Sequence, residues 1–424
     1  MGLQHLLLGK PDARLKSRWL EHIRAYGPGQ CKPNPGPFPV PAHITRHPLR
    51  IFGGALRKQS GLALRAPEHG SAERFKIWEM PGEEYFPRTP RALLGQELDI
   101  MFRDYLPSFK SERSFVLKVP QGLFHGHDHS LFDADYKLID WETPYWALAC
   151  GLPSTMFRGR LPQPKRLKGR TLVLSAPGAT NNIWHLLFDA LPKLHLVQRA
   201  GLDPLGFDHY LINSKQARFE RDALEMLGLP PEKIVESDAV PLVQSDEMFF
   251  VTLGFVIPTE PWVLHWVRSK FLGPESGHLQ DKRVFLSRAD ATRRRFRDEH
   301  LLWDKLREKG FEKVEFATMG LAEQIDCMRR AEVVVAPHGA GLTNLVWSAP
   351  GTKVAELFAK EYINACYWLI ADMLGQDYAF AIGKPTMDRA FDNRALVDGA
   401  RQSADISFGD TSSLADRILE FCGA

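Results

Sequence analysis

The stretch Arg330 to Phe358, RAEVVVAPHGAGLTNLVWSAPGTKVAELF, decides the fold. Val333, Val334, Val335 and Ala336 form a short, all-apolar run rich in β-branched residues, the pattern of a parallel strand buried on both faces. Pro337 is expected to stop the ladder. The loop His338-Gly339-Ala340-Gly341 follows, and its two glycines permit positive φ and close approach of a ligand to the backbone. A helix-like segment from Leu342 to Ser348, the breaker Pro350-Gly351 and a second apolar strand from Val354 to Phe358 complete a βαβ unit. In open parallel sheets ligands bind beyond the carboxyl ends of the strands. A helix N-terminus there offers N–H groups and a partial positive charge to a phosphate. The same residues also read as a tight strand-to-helix turn, and a short glycine pattern alone does not separate the two.

Working outward, the same rhythm extends both ways. A block begins with strand Arg283 to Ser287 and continues with helix Glu299 to Lys309, strand Lys313 to Phe316 and helix Leu321 to Arg330. Beyond the opening stretch it adds helix Ile363 to Leu374, strand Tyr378 to Ile382 and a closing helix, Leu414 to Cys422. An earlier block runs from strand Thr171 to Ser175 through a helix starting near Asn181, strand His209 to Asn213, helix Arg218 to Leu227, two strands (KIVES and MFFVT) and helix Pro261 to Phe271. The polar segment Gly273 to His278 reads as the linker between the blocks. Short strands are expected at Ser114 to Lys118, Gly122 to Phe124 and Lys137 to Trp141, whereas Tyr26 to Leu49 is dense in Pro and Gly and lacks a period. The expected organisation is an irregular N-terminal extension over 1–110 and two doubly wound α/β domains over 111–272 and 273–424.

The 424 residues are 44% apolar and 25% charged, the composition of an ordinary globular chain. A net charge of +3 gives no support to a protein-wide nucleic-acid role. Five scattered cysteines without C-x-x-C spacing argue for a reducing compartment and against a disulfide framework. The N-terminal apolar run is too short for a secretory signal, Leu6 stands where a myristoylation motif has Ser or Thr, and no window has the length of a membrane span. The expectation is cytoplasmic, with peripheral contact at the inner face of a membrane left open.

Four constellations carry chemistry. On the helix from Asn181, residues Asn181, His185 and Asp189 recur at i, i+4 and i+8. A His beside an Asp is an oriented general base; the alternative is a solvated face. The loop SRADATRRRFRDE, Ser287 to Glu299, places five arginines after the first strand of the second block, where guanidinium forks match phosphate oxygens; a solvated charge run and a nucleic-acid patch compete with that reading. HGHDH, His125 to His129, looks superficially like a metal cluster, with His127 and His129 alternating onto one side, but lacks an accompanying HExxH helix and reads better as a loop rim. Asp133-Ala134-Asp135 has the D-x-D form that holds cations in some sugar transferases, yet sits where a hairpin turn is expected.

Together these segments resemble glycosyltransferase family 61. The resemblance rests on N-x-x-H with D-x-L-P (Asn182, His185, Asp189, Leu191, Pro192), on SR followed by RRFRDE (Ser287, Arg288, Arg294 to Glu299), on E-Q-I (Glu323 to Ile325), and on APHGAGLTN followed by VAEL. It covers about Thr171 to Phe358 in order. It implies a GT-B type fold, two Rossmann-like domains facing across a cleft, and an inverting transferase that takes a nucleotide sugar, a UDP-sugar first, and a glycan or glycolipid acceptor. It implies no metal and no further cofactor, and a setting such as capsular polysaccharide synthesis. By the same resemblance Arg288, Arg295, His338, Gly339, Ala340, Gly341, Leu342 and Asn344 hold the nucleotide diphosphate, Glu356 contacts the ribose or uracil side, Asn181 and Asn182 lie on the acceptor side, and His185 with Asp189 borders the reaction centre. Asp298-Glu299 departs from the Asn-Glu of many relatives. The alternatives are a non-catalytic glycan- or nucleotide-binding protein, a dinucleotide-dependent oxidoreductase and a metal-dependent hydrolase built on HGHDH. HGAG is not G-x-G-x-x-G, which weighs against the oxidoreductase.

Overall fold

The computed structural model describes residues 63–64, 76–111, 113–136, 138–139, 161–253, 259–273, 280–289, 291, 293–386 and 403–423. The Pro/Gly-rich segment 26–49 and residues 274–278 of the expected linker lie outside them. The chain is mixed α/β and divides into two compact units. One gathers the described residues up to Gly82 with Glu112–Glu220 and Gly228–Val256; the other gathers Glu83–Ser111, Arg221–Leu227 and Ile257–Ala424.

The first unit is built on a ten-stranded mixed sheet. Its parallel half follows the order Leu242–Thr252, Lys165–Val173, His209–Ile212, Ile234–Glu236. The rest departs from the doubly wound expectation. Leu242–Thr252 has 11 residues, enough to pair antiparallel with Ser114–Pro120 and Leu123–His125 in series. Hairpins then add Ser130–Phe132 and Leu138–Ile139. The turn before the last strand confirms the hairpin reading of D-x-D: the Asp135 amide donates to Asp133 Oδ1 at 2.9 Å and the Tyr136 amide to the Asp133 carbonyl at 3.0 Å.

The second unit holds a six-stranded, wholly parallel sheet in the order Phe311–Val314, Lys282–Leu286, Ala331–Pro337, Lys353–Phe358, Asp377–Ile382, Arg91–Ala92. The first five follow the chain as 2-1-3-4-5, so the strand order reverses between Lys282–Leu286 and Ala331–Pro337. Ligands of open α/β sheets bind at such a reversal. Pro337 does not end the ladder as expected; it stays in register opposite Leu357, and the His338 amide continues with a 2.8 Å bond to the Leu357 carbonyl. Along a strand successive amides point to opposite neighbours, so the missing N–H of Pro337 faces Lys282–Leu286, whose pairing has already ended at Val335.

One face of this sheet, with Val333, Val335, Ala355, Leu357, Ala379 and Ala381, packs on Leu302 and Leu306 of helix Glu299–Arg307 and on Leu414, Ile418 and Leu419 of helix Thr411–Cys422. Val334, Val354 and Phe380 of the opposite face are buried too, which is why these strands read as continuous apolar runs rather than alternating ones. Helix Thr411–Cys422 starts where Asp410 accepts the Ser413 amide at 3.0 Å and stops at Gly423 in the left-handed region, φ 69°.

Two segments sit elsewhere than the sequence placed them. Helix Pro261–Phe271, assigned to the first domain, groups with the second unit, and Arg268 there donates to the carbonyls of Val346 (2.5 Å) and Ser348 (3.0 Å). Segment Glu83–Ser111, assigned to the irregular extension, supplies the edge strand Arg91–Ala92; two residues carry no period to read. Among the described residues no helix is long and apolar enough to cross a membrane.

Candidate active site

In the first unit a polar cluster lies at the carboxyl ends of Lys165–Val173 and His209–Ile212. The expected single helix is three pieces: Ile183–His185, a π-helical turn Leu186–Ala190 and Lys193–Arg199. The Leu191 amide reaches five residues back to the Leu186 carbonyl at 3.0 Å, the signature of the wide turn. His185 Nδ1 lies 2.5 Å from Asp189 Oδ2. Asp189 is buried, so its face is not the solvated one of the alternative reading. Burial pushes its carboxyl up, against the His185 hydrogen bond and the charges of His185 and Lys193. With Nδ1–H donated to Asp189, Nε2 is left as the basic atom. Gly178, at φ 81°, lies over the ring, and a Cβ there would come within 2.9 Å of His185 Nε2.

Asn181 and Asn182, expected beside the acceptor, do not extend the His185 face. Asn182 is the N-cap, its side chain accepting from the Trp184 amide at 3.1 Å. Asn181 precedes it with φ 49° and donates its amide to Glu220 at 2.7 Å, leaving its side chain exposed. The HGHDH residues divide rather than converge. His125 Nδ1 and the Ser130 hydroxyl meet Asp128 Oδ1 at 2.9 and 2.6 Å, His127 is exposed, and His129 is buried 3.4 Å from the Ser175 hydroxyl. Burial, with the charge of Lys193, holds His129 down to about 3. His127 and His129 therefore do not share a side: they belong to the turn joining Leu123–His125 to Ser130–Phe132.

In the second unit the loops after Lys282–Leu286 and Ala331–Pro337 meet at the strand-order reversal. Here Gly339 is extended, φ 172°, and Gly341 is not among the positive-φ residues, so neither glycine serves the expected turn. Gly339 instead makes room: a Cβ there would overlap the Arg288 guanidinium. Arg288 Nη2 donates to the Arg293 carbonyl at 3.0 Å. Arg294, turned by a φ of 54°, lies over the Tyr362 ring at 4.9 Å. That ring is 5.4 Å from His338, which also contacts Tyr367 at 5.3 Å and stacks on Phe358 at 5.1 Å. Arg295, the expected phosphate ligand, is exposed and folds back, its Nε donating to the Ala291 carbonyl at 2.8 Å. Successive side chains diverge, and the left-handed turn at Arg294 selects that residue for His338.

Glu356, expected on the nucleotide, is fully buried. Its two oxygens take His338 Nδ1 and the Tyr378 hydroxyl, each at 2.5 Å. Burial pushes its carboxyl well up; burial, then Arg294 and Arg288, push His338 well down. Both directions favour a neutral pair with a proton shared between Glu356 and Nδ1, so Nε2 keeps its hydrogen and is the ring's remaining donor. Leu342 is buried, and the buried Asn344 amide is consumed internally by Gln324 (2.9 Å), the Gly341 carbonyl (3.2 Å) and Trp347 (2.8 Å). The segment Ala340–Trp347 is a 3₁₀ helix rather than an α-helix. Glu299 accepts from the Ser287 hydroxyl at 2.8 Å and pairs with Lys313 at 2.6 Å, which makes it a support for the arginine loop. Among the described residues no three His, Cys, Asp or Glu side chains gather as metal ligands.

Residues 183–355, from the helix of His185 to the strand of Glu356, match the family model of glycosyltransferase 61. Over those residues the chain is similar to glycosyltransferase family 61. Beta-1,2-xylosyltransferase RCN11 of Oryza sativa subsp. japonica is 40% identical over 63 residues, 15% of this chain and 12% of the relative. A beta-1,2-xylosyltransferase of Arabidopsis thaliana is 34% identical over 62 residues, with the same shares. The chain thus spans a small part of the curated relatives it matches. Within residues 183–355 the site residues expected from sequence include His185, Asp189, Arg288 and His338. Lys193, Arg294, Tyr362, Tyr367 and Tyr378 are not among the site residues expected from sequence. Lys193 was in reach, because it stands four residues beyond Asp189 on the same stripe.

Proposed function

We propose that the protein is an inverting glycosyltransferase that moves a sugar from a UDP-linked donor to a hydroxyl of a glycan or glycolipid. The observation that carries this reading is the convergence of Arg288, Arg294 and neutral His338 at the strand-order reversal of the second unit. Two permanent cations and one N–H donor suit a leaving diphosphate, whose charge grows as the bond breaks. The acceptor oxygen attacks the anomeric carbon, the bond from that carbon to the diphosphate oxygen breaks, and the acceptor proton passes to His185 Nε2 while Asp189 steadies the imidazolium. The reading requires the GT-B arrangement, in which two Rossmann-like units serve one pair of substrates without a metal. Xylose is the first sugar to try, since both relatives carry it in their names. A cytoplasmic setting in surface or capsular polysaccharide synthesis belongs to the same proposal.

The test is a thermal-shift panel of UDP, GDP and CMP, then UDP release from UDP-xylose and other UDP-sugars in EDTA with and without glycan. UDP should stabilise the fold by mass action. Arg288→Ala should weaken UDP by roughly 10- to 100-fold, the loss of one charge-assisted bond. Unchanged UDP affinity and turnover in that variant refutes the donor site. UDP binding with no turnover on any sugar would make the protein a nucleotide-binding relative that has lost catalysis.

A further inference from the structure

Lys193 is a buried amine in the first unit, 3% exposed. Its Nζ donates to the carbonyls of Leu174 (3.2 Å) and Ser175 (2.5 Å), just past the end of strand Lys165–Val173, and lies 5.9 Å from the Phe250 ring. It stands four residues from Asp189 and eight from His185, so the three titratable groups follow one stripe across the π-helical turn. Asp189 gives Oδ2 to His185, while its Oδ1 is buried without a hydrogen-bond partner among the described residues. A buried carboxylate with one such oxygen is costly to keep ionised. The positive charge that offsets it, besides His185, is Lys193.

We propose that Lys193 is a positioning residue whose buried charge keeps the His185–Asp189 pair in its proton-accepting form. This rests on reading His185 as the base. The pair is competent when it carries one negative charge, with His185 neutral and Asp189 ionised. Removing a nearby cation favours the protonated pair whichever group holds the proton, so the apparent pKa of the pair rises. The groups facing Lys193 are Asp189 on its own stripe and His129 from the turn after Leu123–His125; with His129 held near 3, it is uncharged at neutral pH. Burial brings Lys193 down to about 7, with Asp189 opposing, so its cation is present below about pH 7.

The experiment is the pH profile of UDP release from the UDP-sugar that the panel identifies, on the full chain, with Lys193→Gln and Lys193→Arg. Glutamine keeps a donor for the Leu174 and Ser175 carbonyls and removes the charge; arginine keeps the charge. Lys193→Gln should move the acid limb of kcat upward by about one pH unit, a roughly tenfold loss on that limb, with donor KM unchanged. Lys193→Arg should leave the limb in place. A purely structural lysine would scale activity equally at every pH, and that result, or an equal shift in both variants, overturns the proposal. If Lys193→Gln does not fold, ring NMR of His185 in wild type and Lys193→Arg decides: the same apparent pKa supports the proposal and different values reject it. Full transfer by His185→Ala would sink the base reading itself. An inactive His185→Ala beside an unshifted Lys193→Gln would sink this inference alone.

Discussion

Gly339 is expected to matter through its backbone freedom and instead matters through its missing side chain. Its backbone is ordinary, but its missing side chain is the space in which the Arg288 guanidinium lies. Gly339→Ala should therefore leave the fold nearly as stable, because the end of an arginine can swing away, while lowering UDP affinity by roughly tenfold through loss of a charge-assisted bond. Calorimetric titration of UDP beside a melting curve checks both halves, and a large drop in stability with normal UDP affinity would refute the account. The His185–Asp189 contact was legible because helical spacing of four dictates it. Arg294 against Arg295 was not, since one left-handed residue reverses which arginine points inward. Glu356 was misassigned because a strand's burial on both faces is a tertiary fact, and it turns a polar residue from a ligand contact into the support of His338.

At the scale of elements, alternating strands and helices were readable over both blocks, but strands Lys165–Val173 and Leu242–Thr252 each start six residues before the apolar run that announces them. What patterning missed was helix type. The short apolar segment Ala340–Trp347 winds as a 3₁₀ helix, with its carbonyls at Val346 and Ser348 held by Arg268. Phe271 of the same long helix packs against Trp347, ring centres 5.8 Å apart. Arg268→Ala should cost about 1–3 kcal/mol of stability, the toll of leaving buried carbonyls unpaired. UDP affinity should stay within about twofold, since Arg268 grips the far end of that helix from Gly339. Urea unfolding followed by nucleotide titration separates the outcomes; a stable variant that no longer binds UDP would contradict this division of labour. The mixed half of the first sheet was equally hidden, because antiparallel partners for Leu242–Thr252 come from earlier, short strands whose pairing no local pattern announces.

At the scale of the molecule, the second unit is assembled from distant parts of the chain. Asp372 anchors the early segment: it accepts the Tyr85 hydroxyl at 2.8 Å, the Arg88 amide at 3.1 Å and Arg88 Nε at 2.5 Å. The Leu93 amide then reaches the Phe380 carbonyl at 2.8 Å. Asp372→Ala should cost on the order of 3 kcal/mol and speed amide exchange at Arg88 and Leu93 well beyond the rest of the sheet. Uniform exchange across the sheet would show that the anchor is dispensable. The same arrangement has a meaning in time. Ala92 leaves the ribosome long before its partner Phe380, at about 5–20 residues per second some 15–60 s earlier. Through that interval the first unit can close while the early segment waits, exposed, for a sheet that has not been synthesised. The edge strand Arg91–Ala92 thus ties completion of the second unit to the later synthesis of its partner Asp377–Ile382 and makes the waiting segment a place where a chaperone can act.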